Sequence, residues 1–327
     1  MTRWAVLVLA VAACGTKGGG AAGGATGSGS ALAAGSGSGP GAGSGPAVVP
    51  ETCQQLSFAG NTPVPEASGA AWLTIGGKLA LAVVSDSGND GAYGILDPET
   101  GETLETGTLP LGNAGQDLEG AAARGNQMVT INSAGWIRVY QHDDAAKAFT
   151  LVTDAYPLGP VTLPAKSKSG GNAPPEGDGM VCDGKSTNCG RNYEGLCLVD
   201  DAHRPPGDGA CVGFAASKAD GKLYCLTETG GKLVVHRDRA VSITKPGALA
   251  DCAFAEDGSL WAGSNLFDFA NVYEVKGWAE PAGATVVPLG GIGVGFPETL
   301  AVRGDVFYRM SDTGGSPSLL TKYRCTR

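Results

Sequence analysis

The sequence predicts an all-β domain folded as a β-propeller, six-bladed and disulfide-containing, and three observations predict it. From about residue 49 onward, short apolar runs alternate with Gly, Asp, Asn and Ser turns, with little helical periodicity. The runs repeat: Glu119–Asn126 leads into Met128-Val-Thr-Ile and a polar turn at Asn132, Glu298–Asp305 into Val306–Met310 and Ser311, and Asp251–Gly258 into Leu260-Trp-Ala-Gly and Ser264. In all three, the turn comes 13 positions after the acid.

Two further copies carry variations. One runs from Ala70-Ala-Trp-Leu through Leu79–Val84 to Ser85, the other from Gly213-Phe-Ala-Ala through Leu223-Tyr-Cys-Leu to Thr227. The turns start at 85, 132, 227, 264 and 311, in steps of 47, 95, 37 and 47. A repeat of this length with three or four strands is a propeller blade, which buries its faces against its neighbours. The step of 95 spans two periods, so a remodelled sixth copy is expected near residue 180, beside five clear ones. A pair of β-sandwiches is the alternative, and it leaves the period unexplained. The strand around Cys53 is expected to complete the last blade beside the strand around Cys325.

Ahead of the domain, residues 1–13 read as an export signal: Arg3, then an apolar run from Trp4 to Ala13. The run is too short for a membrane span, which needs about 20 apolar residues. It ends in Val11-Ala12-Ala13-Cys14, the pattern of a lipoprotein cleavage site with Cys14 as the acylated residue; an ordinary Ala-x-Ala site is the alternative. Residues 14–48 are almost entirely Gly, Ala, Ser and Pro, a composition that cannot form a core and is expected to act as a tether of about 30 Å. Gly15 after Cys14, rather than Asp, points to the outer membrane over the inner one. Residues 49–327 are left for the propeller.

Net charge is −9 with only 23 Lys plus Arg and no basic cluster, which excludes nucleic acid as a partner and leaves membrane contact to the lipid. Setting Cys14 aside, eight Cys remain, an even number in an exported chain and hence a disulfide framework. Cys53 with Cys325 would clamp the ring, and Cys182 with Cys189 would close a short loop. Zinc is the rival reading, but no CxxC pair occurs and only three His are present.

Residues just before the innermost strand of a blade ring the mouth of the central channel. Glu66, Glu119, Glu194, Asp251 and Glu298 hold such places, so their carboxylates are expected to converge. Converging carboxylates need a cation or hydrogen bonds, and hard oxygen ligands suit calcium. The alternative is that each accepts backbone N–H groups from the next blade. A second oxygen-rich cluster is Asp86-Ser-Gly-Asn89-Asp90-Gly91, either a cation loop or a plain hairpin turn. The stretch Gly179–Ser186 matches P-loop spacing, but Thr187-Asn-Cys-Gly follows where a helix is needed. His142, His203 and His236 are scattered, and Arg124 and Arg303 take matching turn positions, all expected to be structural.

Taken together, Ser85-Asp-Ser-Gly-Asn89, then Asp117-Leu-Glu-Gly-Ala121, then Asn192-Tyr-Glu-Gly-Leu196 resemble the motifs of the esterase-like phytase and SdiA-regulated propellers. The resemblance implies an exported, often metal-binding propeller that in some members cleaves phosphate esters. It points to Asp86, Asn89, Asp117, Glu119 and Glu194, with Glu298 joining them by its repeat position. The chain departs from the pattern in its later blades, where Asp200–Gly213 is inserted, and in having no cluster of phosphate-binding Arg and Lys. The expected function is therefore a binding or scaffolding module of the cell envelope, calcium-binding at the mouth, engaging a protein, glycan or small molecule. The alternative is a metal-dependent hydrolase of phosphate esters.

Overall fold

A computed structural model of the chain describes residues 50–162 and 179–326. Cys14 and the expected signal and tether lie outside the described residues.

The chain opens with β1 (Cys53–Leu56) and β2 (Asn61–Pro65). The first complete blade is β3 (Ala67–Ile75), β4 (Lys78–Ser85), β5 (Ala92–Leu96) and β6 (Thr103–Thr108). The second is β7 (Leu118–Arg124), β8 (Gln127–Asn132), β9 (Trp136–Asp143) and β10 (Ala148–Leu151), with the short β11 (Tyr156–Pro157) also on β9. The third is β12 (Tyr193–Leu198), β13 (Gly213–Ser217), β14 (Lys222–Thr229) and β15 (Lys232–Ser242). The fourth is β16 (Leu249–Phe254), β17 (Leu260–Ser264), β18 (Asn271–Lys276) and β19 (Thr285–Gly291). The fifth is β20 (Phe296–Arg303), β21 (Val306–Asp312) and β22 (Pro317–Cys325), completed by β1.

Strands β3, β7, β12, β16 and β20 are innermost, and each packs on the next until β20 returns to β3. Five apolar clusters fill the five gaps between blades. Tyr93 and Ile95 meet Leu118 and Tyr140 in one gap, and Trp261 and Val272 meet Phe307 and Tyr323 in another. Because every sheet buries its faces only against its neighbours, the ring must close to hold any core at all. It closes through β1 on β22, in register Cys53 with Cys325, and the two sulfurs are bonded.

Close approach at the axis sets the inner strands. A Cβ on Gly69 would lie 2.5 Å from the backbone nitrogen of Ala121, and one on Gly120 would lie 2.4 Å from that of Leu196. Asp251 and Thr299 hold the matching places in the other two blades and spend their side chains on backbone. Asp251 accepts from Leu300 N at 2.8 Å and Cys252 N at 2.7 Å, and Thr299 donates to Ala67 O at 2.8 Å. Just before this waist every inner strand carries a one-residue bulge, at Ser68, Glu119, Glu194, Ala250 and Glu298. A bulge frees its residue from the ladder and re-aims the side chain.

The described residues thus form five blades, and the expected sixth copy near residue 180 is no blade. Residues around Cys182 lie as a loop against the second blade, with Cys182 N donating to Ala134 O and Trp136 Nε1 donating to Cys182 O. The third copy begins one strand earlier than its apolar pattern suggests. The residue matching Ser85, Asn132, Ser264 and Ser311 is Ser217, at the end of β13, and not Thr227 in β14. With that correction three of the four steps are 47. The excess in the remaining step comes from the β12–β13 insert and the long β11–β12 connection.

Two bonds not anticipated join Cys197 to Cys252, between inner strands of adjacent blades, and Cys211 to Cys225. The Cys182–Cys189 pair is corrected: both carry free thiols. The two thiols are hydrogen-bonded to each other, and Cys189 also donates to Ser186 O within its own loop.

Removing the ring clamp with Cys53→Ala and Cys325→Ala together should lower stability by about 2–5 kcal/mol, read from urea unfolding. Gly120→Ala should cost roughly 1–3 kcal/mol by the same assay, because the new methyl meets backbone that cannot yield.

Candidate functional site at the acidic mouth

The start of every inner strand faces one end of the channel. At this mouth the bulges throw Glu119, Glu194 and Glu298 off their ladders, from three different blades. The other two bulge positions are Ser68 and Ala250, so Glu66 and Asp251 do not share the position expected of them. Glu66 stands two residues ahead of its bulge and accepts from Asn89 Nδ2 at 2.6 Å, while Asp251 is tied to backbone at the waist.

Two further carboxylates arrive from loops. Asp86 follows β4 and takes the Ser87 amide, and Asp117 stands just ahead of β7 and takes the Ser133 hydroxyl. Asp86, Asp117 and Glu119 each place a carboxylate oxygen within 4.8 Å of the other two. Asp117 and Glu119 are buried and Asp86 is half-buried. Ser68 Oγ donates to Glu119 Oε2 at 3.0 Å. Asn89 is a turn residue: its amide nitrogen serves Glu66 and the carbonyls of Asp86 and Ser87.

Glu194 and Glu298 are engaged differently from the expectation. Lys218 Nζ lies 2.6 Å from Glu194 Oε2 and 3.3 Å from Glu298 Oε1, and Asn192 Nδ2 donates to Glu194 Oε1 at 2.8 Å. Lys218 occupies the β13–β14 turn. A repeat read with its turn at Thr227 leaves Lys218 away from the mouth, whereas the pairing of Tyr193 with Ser217 sets Lys218 there.

Five carboxylates, Asp86, Asp117, Glu119, Glu194 and Glu298, therefore face one ammonium. Buried charge of one sign is costly, and the carboxyls respond by holding protons. Burial lifts Asp86 to about 7, and the charges of Asp117, Glu298 and Glu66 add to this against the Ser87 amide. Burial pushes Glu119 well above the carboxylate range, with Glu194 and Asp86 pushing the same way. Burial also raises Asp117, against the hydroxyls of Ser133 and Ser87. Glu194 is lifted by burial to about 8 and burial raises Glu298 as well, both against the pull of Lys218. Burial opposes the Lys218 charge, but Glu194 and Glu298 outweigh it and keep the ammonium protonated.

Such a site can take up a hard cation in exchange for protons. Ligands on one calcium ion sit at 2.3–2.6 Å, so two of them can be no more than about 5 Å apart, a span that Asp86, Asp117 and Glu119 meet. No histidine reaches this mouth among the described residues. His142 is buried between Glu105 and Asp144, His203 binds Asp200, and His236 binds Thr227. Arg124 and Arg303 pair with Glu228 and Glu256, away from the mouth.

No protein-family model matches the sequence, and no curated protein matches it. Among solved structures the chain is similar to a glutaminyl cyclase of Myxococcus xanthus, at 13% identity over 84% of this chain and 97% of that one, with a TM-score of 0.46. It is similar to a luciferin-regenerating enzyme at 10% identity over 83% and 94%, TM-score 0.46. It is similar also to a putative 6-phosphogluconolactonase of Bacteroides uniformis at 14% identity over 76% and 78%, TM-score 0.43. Likeness at this level says nothing of chemistry; the propeller rests on five sheets closed into a ring.

A carboxyl whose pKa is raised by folding keeps a proton that the unfolded chain has released. Its contribution is complete below about pH 4, the unfolded value, and is lost as pH rises through the folded one. In EDTA, the melting temperature should therefore fall as the pH rises toward and past about 7, where Asp86 ionises. Asp86→Asn or Glu119→Gln should flatten that slope, read by thermal unfolding across the pH range.

Proposed function

We propose that this protein is an exported, lipid-anchored propeller that binds a divalent cation, calcium by ligand chemistry, at the acidic mouth and uses the loaded mouth to hold an anionic envelope component. The observation that carries this reading is the Asp86, Asp117 and Glu119 triad, three carboxylates brought within one ion's reach where their like charges repel. A bound cation relieves that repulsion and presents a positive point beside the fixed ammonium of Lys218. The motif positions that resemble the esterase-like phytase and SdiA-regulated group, Asp86, Asn89, Asp117, Glu119 and Glu194, fall at this one mouth, which supports the reading. Export and anchoring rest on the residues around Cys14, and Gly15 in place of an Asp after that Cys favours the outer membrane.

A second reading, hydrolysis of a phosphate ester, gains from Lys218. The sequence lacks clustered phosphate-binding cations, and Lys218 places one on Glu194 and Glu298, near enough to Glu119 for their charges to interact. A cation together with a fixed ammonium can neutralise charge that develops on a phosphoryl group. The binding reading stands first because it needs only the cation and Lys218, whereas hydrolysis also needs a water or hydroxyl aimed at the phosphoryl group.

Thermal unfolding in excess calcium and in EDTA tests the cation. At calcium near 100 times its dissociation constant, about 2.7 kcal/mol should be added, a rise of a few degrees. Glu119→Gln should abolish the rise, and a melting temperature indifferent to calcium would refute the site. Phosphate esters offered to the calcium-loaded protein separate the two readings: turnover lost in both EDTA and Lys218→Gln selects the hydrolase. Cys14→Ser should move the protein from the membrane fraction to the soluble one.

A further inference from the structure

The channel has a second end. Past the waist at Gly69, Gly120 and Gly195, the later halves of all five inner strands diverge around a cavity of about 370 Å³. This is large enough for a small ligand, since such sites start near 300 Å³. Its wall is mainly apolar and comes from every blade: Trp72, Ala123, Leu198, Phe254 and Val302. The two aromatic rings are held in place. Trp72 donates its indole N–H to Val302 O at 3.1 Å and meets Tyr308 edge-on, and Phe254 meets Trp278 edge-on. An open cup with two packed aromatic walls is thus present before any ligand arrives.

The rim is charged, and its charges are unequally matched. Arg124 and Arg204 share Glu228, Glu256 pairs with Arg303 and Asp200 with His203. Asp201, exposed on the β12–β13 insert, lines the same cavity and has no side-chain partner among the described residues. An apolar cup with one unmatched carboxylate at its lip is complementary to a molecule with an apolar body and one positive head. A neutral molecule would leave Asp201 unused, and an anion would be repelled by it.

We propose that this cavity is a second binding site, separate from the acidic mouth, that takes a small organic cation. The apolar body packs between Trp72 and Phe254, and the ammonium sits on Asp201.

Calorimetry on the full-length chain carrying Cys14→Ser, so that no detergent competes, tests this with octylammonium, 1-octanol and octyl sulfate. Octylammonium should bind saturably, one per chain, and octyl sulfate more weakly. Asp201→Asn should weaken octylammonium by up to about fivefold, the range of an exposed ion pair, and leave 1-octanol unchanged. Ala123→Phe should fill the cup and remove both, with an unaltered melting temperature certifying the fold. Glu119→Gln, at the other mouth, should leave octylammonium binding as it was. Several results would overturn the proposal: no saturable binding of octylammonium or 1-octanol, octyl sulfate as tight as octylammonium, or binding indifferent to Asp201→Asn. Loss of octylammonium binding in Glu119→Gln would place the cation at the acidic mouth and overturn it as well.

Discussion

Five backbones meeting on one axis leave no room for side chains, and most of what is distinctive here follows from that crowding. Three blades answer it with glycine, and the other two with Asp251 and Thr299, whose side chains are absorbed by backbone groups. The bulge ahead of the waist occurs in all five blades, so it belongs to the packing rather than to one site. Placing Glu at three of the five bulges turns that geometric necessity into chemistry. The acids sit at the mouth because the strand has nowhere else to put them, and they stay buried because neighbouring blades close over them. Lys218 offsets part of their charge, and protons or a cation must offset the rest.

Much of this was legible in the sequence, because repeat spacing is a property of chain length per blade and survives changes of residue. The acids at 119, 194 and 298 and the clamp between Cys53 and Cys325 follow from pattern, the Asp86 loop from its run of oxygen-bearing residues, and Asp117 only from the motif resemblance. What failed did so for definite reasons. The insert between β12 and β13 separates the inner strand of the third blade from its partner, so the strand at Phe214 reads as an inner strand and the one at Leu223 as its partner. That slip concealed Lys218 and made room for a sixth blade. Glu66 and Asp251 misled because a single bulge shifts which residue turns inward, and a bulge has no signature in composition. Cys197 and Cys252 could not be paired beforehand, since their proximity depends on two blades being adjacent in the ring.

The channel is divided into two environments by its own narrowest point. Above the waist, carboxylates and one ammonium create a site governed by charge and protonation. Below it, the same strands continue as an apolar cup with fixed aromatic walls. Three glycines separate the two by backbone contact, so each end can change its residues without disturbing the other. One set of strands therefore carries two unlike surfaces.

The bond between Cys53 and Cys325 has a mechanical meaning as well. Tension applied to the chain ahead of β1 reaches the domain at its outermost strand, which would otherwise peel from β22 one hydrogen bond at a time. With the sulfurs joined at the first residue of β1, that load passes into a covalent bond and onward to the last residue of β22. β1 is shielded from the pull, and the blade it completes keeps its place in the ring.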